Sequence, residues 1–223
     1  MPSDRNGRVA GVVLAAGTST RMGRNKLLFE IDGEPLVHRA ARRAIDGGLD
    51  PVIIVVGHQA ERAIETVADL YCCTVVNPDY QKGISASVRA GIAAVPPDAE
   101  AVVITLADMP FVSAGMIAAL VMRFREDDTR LVISSYGDVT APPTLYDRSL
   151  FAELQAAAGH AVPAREISAG EPAQGCGKHL VRRHRDEASF VAWPAELIAD
   201  VDVPGDFERV KALIEEGSHQ HAR

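Results

Sequence analysis

A single three-layer α/β domain on a mostly parallel sheet is the fold this sequence predicts. Two observations lead there. Through the first two-thirds of the chain, short apolar runs alternate with segments of helical period, the pattern of strands and helices packed on both faces of one sheet. The length of 223 residues and the 47% hydrophobic content suit one large core. Right-handed crossovers then bring the C-terminal ends of the strands to one edge, where ligands bind in such sheets.

Strands are read at Val9–Leu14, Val52–Val56, Thr74–Val76, Val102–Leu106 and Leu131–Ser134. Helices are read between them at Leu36–Ile45, Glu61–Leu70, Ser85–Ala94 and Ala114–Phe124. In the second helix Ile64, Val67 and Ala68 mark the apolar face, opposite Glu61, Arg62 and Glu65. The last third is less regular. Thr144–Tyr146 reads as a short strand, and Asp147 is placed to cap a helix from Arg148 to Ala157. Ala158–Gly175 is rich in Ala, Gly and Pro without a period, which predicts a mobile loop. A helix over Lys178–Arg185 and a strand near Phe190–Ala192 follow. Pro204 suits a first helical turn, and Phe207, Val210, Leu213 and Ile214 form the stripe of a terminal helix. The domain is expected over residues 8–216, with 1–7 and 217–223 as flexible termini.

The net charge of −7 argues against a nucleic-acid partner, which calls for a basic face, but leaves room for a local basic pocket. No apolar run approaches a membrane span, and MPSDRNGR lacks the apolar segment of a signal peptide, so the expected location is the cytoplasm. Cys72, Cys73 and Cys176 form no CxxC pair, against both a disulfide framework and a structural zinc site. One of the adjacent pair reads as a small core residue, and Cys176 as an incidental loop residue.

The chemistry concentrates in Leu14–Lys26, LAAGTSTRMGRNK. A strand emptying into a Gly-containing loop offers backbone N–H groups suited to phosphate, and Arg21 and Lys26 add two cations. The stretch is neither of the better-known phosphate loops. Five residues separate Gly17 from Gly23 and Lys26 falls two residues late for a P-loop, while G-x-G-x-x-G is absent. An ordinary loop with solvated charges is the alternative. Asp108 follows the strand Val102–Leu106, at the same sheet edge, and can hold Mg²⁺ or cap the turn that Pro110 redirects. Asp202 is a second candidate ligand, or an N-cap for the helix near Pro204; Asp200 and Asp206 are weaker candidates. In GISASVRAG, Ser85 and Ser87 can read base or ribose edges, or cap an amphipathic helix.

LAAGTSTRMGRNK resembles the signature of the MobA/MocA-like nucleotidyltransferases of molybdenum-cofactor synthesis. GISASVRAG, LADMPFV and DVDVPGDF follow in the family's order, so the resemblance spans Val9 to about Leu213. It implies a Rossmann-like domain of the nucleotide-diphospho-sugar transferase type. It also implies transfer of CMP from CTP to molybdenum-bound molybdopterin, with a molybdoenzyme or maturation chaperone as partner. The residues carried over are Leu14, Ala15, Ala16, Gly17, Arg21, Lys26, Ser85 and Ser87 around the nucleotide. Lys26 and Arg21 neutralise the reacting phosphates, and Asp108 and Asp202 hold Mg²⁺. LAAG resembles the cytidylyl branch, whereas LAGG is typical of the guanylyl branch. DVDVPGDF has Val203 where the family usually has Thr. Two more departures lie on the acceptor side. Thr140-Ala141-Pro142-Pro143 replaces the family's Gly-His-Pro, and Gln174-Gly175-Cys176-Gly177-Lys178 its G-D-x-G-A-R. Another phosphorylated acceptor, GTP as donor and a non-catalytic nucleotide-binding chaperone are the alternatives.

Overall fold

In the computed structural model, which describes residues 5–17, 25–157, 178–198, 205–206 and 210, the first apolar run becomes β1 (Arg8–Ala15). Its side chains alternate between faces, as a strand's must. Val9, Val13 and Ala15 join one apolar cluster, and Ala10, Val12 and Leu14 the other. After the short β2 (Glu30–Ile31) and β3 (Glu34–Pro35) come α1 (Leu36–Asp46), β4 (Val52–Val56), α2 (Ala60–Thr66) and β5 (Cys73–Val76). Next are α3 (Ile84–Ala93), β6 (Ala99–Leu106), α4 (Ala114–Glu126), β7 (Leu131–Tyr136) and β8 (Val139–Asp147). Then follow α5 (Phe151–Ala157), α6 (Lys178–Arg183) and β9 (Ser189–Trp193).

The main sheet runs β5-β4-β1-β6-β8-β7-β9, with β8 antiparallel to both neighbours and the remaining pairs parallel. The first cluster is closed by residues of α1, α2 and α4, the second by residues of α3, α5 and α6. The three-layer α/β expectation therefore holds. Helix α4 starts where the Ser113 hydroxyl accepts the Met116 N–H at 3.2 Å. At its other end the Arg5 guanidinium donates to the carbonyls of Phe124 (3.0 Å) and Thr129 (2.6 Å) and lies over the Phe124 ring. Cations favour helix C-termini because the last carbonyls have no helical partner.

Several elements differ from expectation. Helix α2 stops at Thr66, four residues early, and Val67–Leu70 turns instead. Helix α3 is capped by Gly83 (φ 105°), not by a serine. The hairpin of β2 and β3 is absent from the sequence expectations, although Asp32-Gly33 is its signal: both have positive φ, 54° and 76°, as a type I′ turn requires. The largest difference is β8, expected over Thr144–Tyr146 and in fact a nine-residue interior strand. Pro142 and Pro143 argue against an interior strand because they lack N–H donors. They fit because pairing to β6 begins only at Thr144 and the β7 register slips between Ile133 and Ser135. Cys72 is half-buried against the first cluster and Cys73 is exposed. The loop Ala158–Gly175, Cys176 and most of the terminal helix lie outside the described residues.

Candidate functional site

The chain changes winding direction at β1, laying β4 and β5 on one side and β6 on the other. In open α/β sheets the crevice beyond the strand ends at such a switch is where ligands bind. There Leu14 is paired with Leu106, and the Ala107 N–H donates to the Leu14 carbonyl at 3.1 Å. The backbone leaving β1 is thereby tied to the turn carrying Asp108.

Lys26 enters this crevice from a built support. The Asn25 side chain accepts the Leu27 N–H at 3.1 Å and donates to the His58 carbonyl at 3.3 Å. It thereby pins the short 3-10 turn Lys26–Leu28 against the end of β4. The Lys26 side chain is only 10% exposed, and its Nζ lies 2.7 Å from Asp108 Oδ2. Lys26 is thus not the solvated loop charge that sequence left open. A covered ammonium requires a counter-charge, and the carboxylate supplies it. Asp108 is 23% exposed, so the pair stays reachable from solvent.

The neighbouring wall is narrow. A Cβ on Gly57 would lie 2.6 Å from Tyr80 Cβ and 3.0 Å from Ala16 Cβ, so only glycine lets the chain leave β4 between them. The His58 and Tyr80 rings stand tilted with centroids 6.3 Å apart. Ser87 is buried and accepts a 3.0 Å hydrogen bond from Asn77 Nδ2, while Ser85 is half-exposed in the first turn of α3. Asn77 in turn donates its N–H to the Val56 carbonyl and accepts the Asp79 N–H. The side chains of Leu14, Ala15 and Ala16 are buried. Gly17 is exposed, and a Cβ there would meet nothing within 4 Å.

Arg21, Asp202 and Asp200 lie outside the described residues, as does Gln174–Gly177. Asp206 is half-buried beside Gly205 in a helical fragment. Sequence reasoning passed over Asn25, Gly57, His58, Tyr80 and Asn77. Their available signal was position: Asn25 precedes the lysine, and Gly57-His58 leaves a strand C-terminus. Among the described residues no three His, Cys, Asp or Glu side chains form a metal cluster. One reachable carboxylate at the strand ends, beside Lys26, still fits Mg²⁺, which takes one or two protein carboxylates and completes its shell with phosphate and water oxygens.

A second polar group lies on α1. Glu34, delivered by the β2–β3 hairpin, accepts two bonds from Arg42 (2.7 and 2.6 Å), and His38 Nδ1 lies 2.9 Å away. Arg42 chiefly holds the Glu34 carboxyl down to about 2. Burial alone would lower the His38 value, but Glu34 and Asp69 together raise it.

Residues 11–174 match the MobA-like NTP transferase domain. The purine catabolism protein PucB of Bacillus subtilis is 28% identical over 217 residues, 93% of this chain and 98% of PucB. The nicotine blue oxidoreductase of Paenarthrobacter nicotinovorans is 32% identical over 138 residues, 61% of this chain and 66% of that protein. Among solved structures, the Rv0371c homologue from Mycobacterium sp. strain JC1 superposes with TM-score 0.76 at 27% identity, covering 94% of this chain and 98% of that one. A manganese complex of Rv0371c from Mycobacterium tuberculosis gives TM-score 0.70 at 24% identity, covering 92% and 98%. No helix among the described residues is long and apolar enough to cross a membrane.

Proposed function

This chain belongs to the MobA-like NTP transferase family, and we propose that it transfers CMP from CTP to molybdenum-bound molybdopterin with release of pyrophosphate. The observation that carries the reading is the Lys26–Asp108 pair at 2.7 Å across the switch point. Nucleotidyl transfer asks little covalent work of a protein and much positioning and charge neutralisation. The acceptor phosphate oxygen bonds to the α-phosphorus as the bond to the pyrophosphate oxygen breaks. Lys26, held by the Asn25-capped turn, turns its ammonium from Asp108 to the charge gathering on the phosphates. Arg21 adds a second cation from the same loop. Asp108, with Asp202, would hold Mg²⁺, which when bound neutralises phosphate oxygens; the manganese complex of a structural neighbour agrees with a divalent ion in this fold. In this reading backbone groups of Leu14–Gly17 meet the nucleotide and Ser85 reads base or ribose, while Ser87, buried and bonded to Asn77, contributes through the wall behind it. Ala15–Ala16 supports CTP through the family resemblance. PucB, a relative named for purine catabolism, supports no particular acceptor. Another phosphorylated acceptor, GTP as donor and a non-catalytic chaperone are the competing outcomes of one assay. The cytoplasm is the proposed location, and a molybdoenzyme or its maturation chaperone the proposed partner.

That assay is pyrophosphate release from CTP and GTP, with and without molybdopterin and other phosphorylated acceptors. Release from CTP with molybdopterin is expected, and Lys26→Ala should slow it by about 100-fold or more. Near-normal turnover by that variant would sink the role of Lys26. Nucleotide binding without release would favour the chaperone. The identity to nicotine blue oxidoreductase motivates a second reading, a nicotinamide oxidoreductase. The missing G-x-G-x-x-G speaks against it, and quenching of NADH fluorescence on mixing would revive it.

A further inference from the structure

Helix α1 carries Arg39, Arg42 and Arg43 within two turns, and the cleft beside them sets two carboxylates, Asp32 and Glu34, against these three guanidiniums. Glu34 is taken by Arg42 and His38, and lies 3.5 Å from Arg39. Arg43 has no ion pair among the described residues, and the Nε atoms of Arg39 and Arg43 are both buried without a hydrogen-bond partner. The Arg39 side chain is only 11% exposed. Burial first, and then the charge of Arg43, pull its value down. Three guanidiniums against Asp32 and Glu34 on the cleft lining leave positive charge in excess there.

Space for an anion lies alongside. An open cleft of about 680 Å³ has His38, Arg39, Arg42 and Arg43 on its helical wall, with Asp32 and Glu34 at the hairpin. The arginines also reach the turn that carries Asp108. Arg39 and Arg43 bound a water-sized hollow of about 10 Å³ together with Thr105, Ala107, Met109 and Pro110. The Thr105 hydroxyl is buried without a partner.

We propose that this cleft is an oxyanion subsite, in which Arg39 and Arg43 hold a phosphate group separate from the phosphates at Lys26. Guanidinium forks match phosphate oxygens in pairs, and an anion there relieves the repulsion between the two side chains. Glu34 is already neutralised and Asp46 lies 3.9 Å from Arg42, so Asp32 is the cleft-lining carboxylate left to oppose the ligand. The phosphate is either a remote group of the acceptor or a free anion acting on the Asp108 turn.

Inorganic phosphate is the probe, titrated calorimetrically at constant ionic strength into the wild-type protein, Arg43→Gln and Lys26→Ala. Arg43→Gln should bind phosphate at the cleft at least about tenfold more weakly, while Lys26→Ala, which removes only the separate site at Lys26, leaves that cleft binding within about twofold. Absence of saturable binding to the wild type overturns the proposal. So does loss in Lys26→Ala with retention in Arg43→Gln. Should Arg43→Gln lose its melting transition, Arg43→Lys keeps the charge without the fork; severalfold weaker binding then supports the subsite and unchanged binding overturns it. A raised acceptor KM at constant kcat in Arg43→Gln assigns the phosphate to the acceptor. Unchanged acceptor kinetics that no longer respond to added phosphate assign it to a free anion. Binding is read without turnover, so failure of the transferase reading leaves this result standing.

Discussion

Gly91 sets how closely α3 approaches the sheet. A Cβ there would lie 2.5 and 3.3 Å from the two Val12 methyls and 3.1 Å from Val55 Cγ2, whereas carbon pairs rest at about 3.5–4.0 Å. Val12 and Val55 are fully buried on β1 and β4, interior strands of the sheet. Neither side chain has space to turn into, so Gly91→Ala must push the helix outward. Intrinsic helix propensity acts in the opposite sense and favours Ala over Gly by about 0.8–1 kcal/mol. Overpacking a tight core costs about 1–3 kcal/mol. Three contacts below normal separation against fixed strands belong in the upper half of that range, which leaves a net loss of about 1–2 kcal/mol. Gly115→Ala is the control: it lies in α4, and the nearest neighbour of its Cβ would be Ser113 Oγ at 3.7 Å. It should gain up to about 1 kcal/mol. Urea unfolding followed by circular dichroism reads both as shifts of midpoint at constant slope. A Gly91→Ala protein as stable as the wild type, or more so, refutes the close-packing argument.

Three further outcomes are expected. Glu34 has a depressed value of about 2 against an ordinary 4.5, so its contribution is present above pH 4.5 and lost as pH falls toward 2. His38 has a raised value, so its share is present below 6.5 and lost as pH rises past its folded value. Glu34→Gln should therefore lower stability by about 2–4 kcal/mol at neutral pH and flatten the acid limb of a melting-temperature profile; an unchanged limb counts against the pairing. A double-mutant cycle over Lys26→Ala and Asp108→Ala, read by urea unfolding, should show a coupling of about 1–3 kcal/mol, and independent effects would mean the pair is not maintained in solution. Ser87→Ala leaves Asn77 Nδ2 without its buried partner and should cost about 1–3 kcal/mol, read as a lower urea midpoint; an unchanged midpoint counts against the bond.

Much of the layout was legible because the signals are local. The continuous apolar runs of β1, β4 and β6 and the Ser113-capped period of α4 agree with the sequence to within a few residues. So does Asp147, whose Oδ1 accepts the Ser149 N–H at 2.8 Å. The prolines of β8 carried the opposite signal, since their tolerance depends on where neighbouring strands stop pairing. The serines of α3 looked like caps because a serine before an apolar period usually is one, yet Gly83 took the position.

At the site, the alternation of elements already sets the strand ends before the β1 loop and the β6 turn at one sheet edge, because right-handed crossovers align successive strands in parallel. That Lys26 turns inward to Asp108 is a tertiary outcome. That choice depends on Asn25 reaching the His58 carbonyl and on the burial of the ammonium. The excess of arginines over carboxylates on α1 is likewise tertiary. A charge's partners are set by distance and solvent exposure, and neither can be read from spacing along the chain.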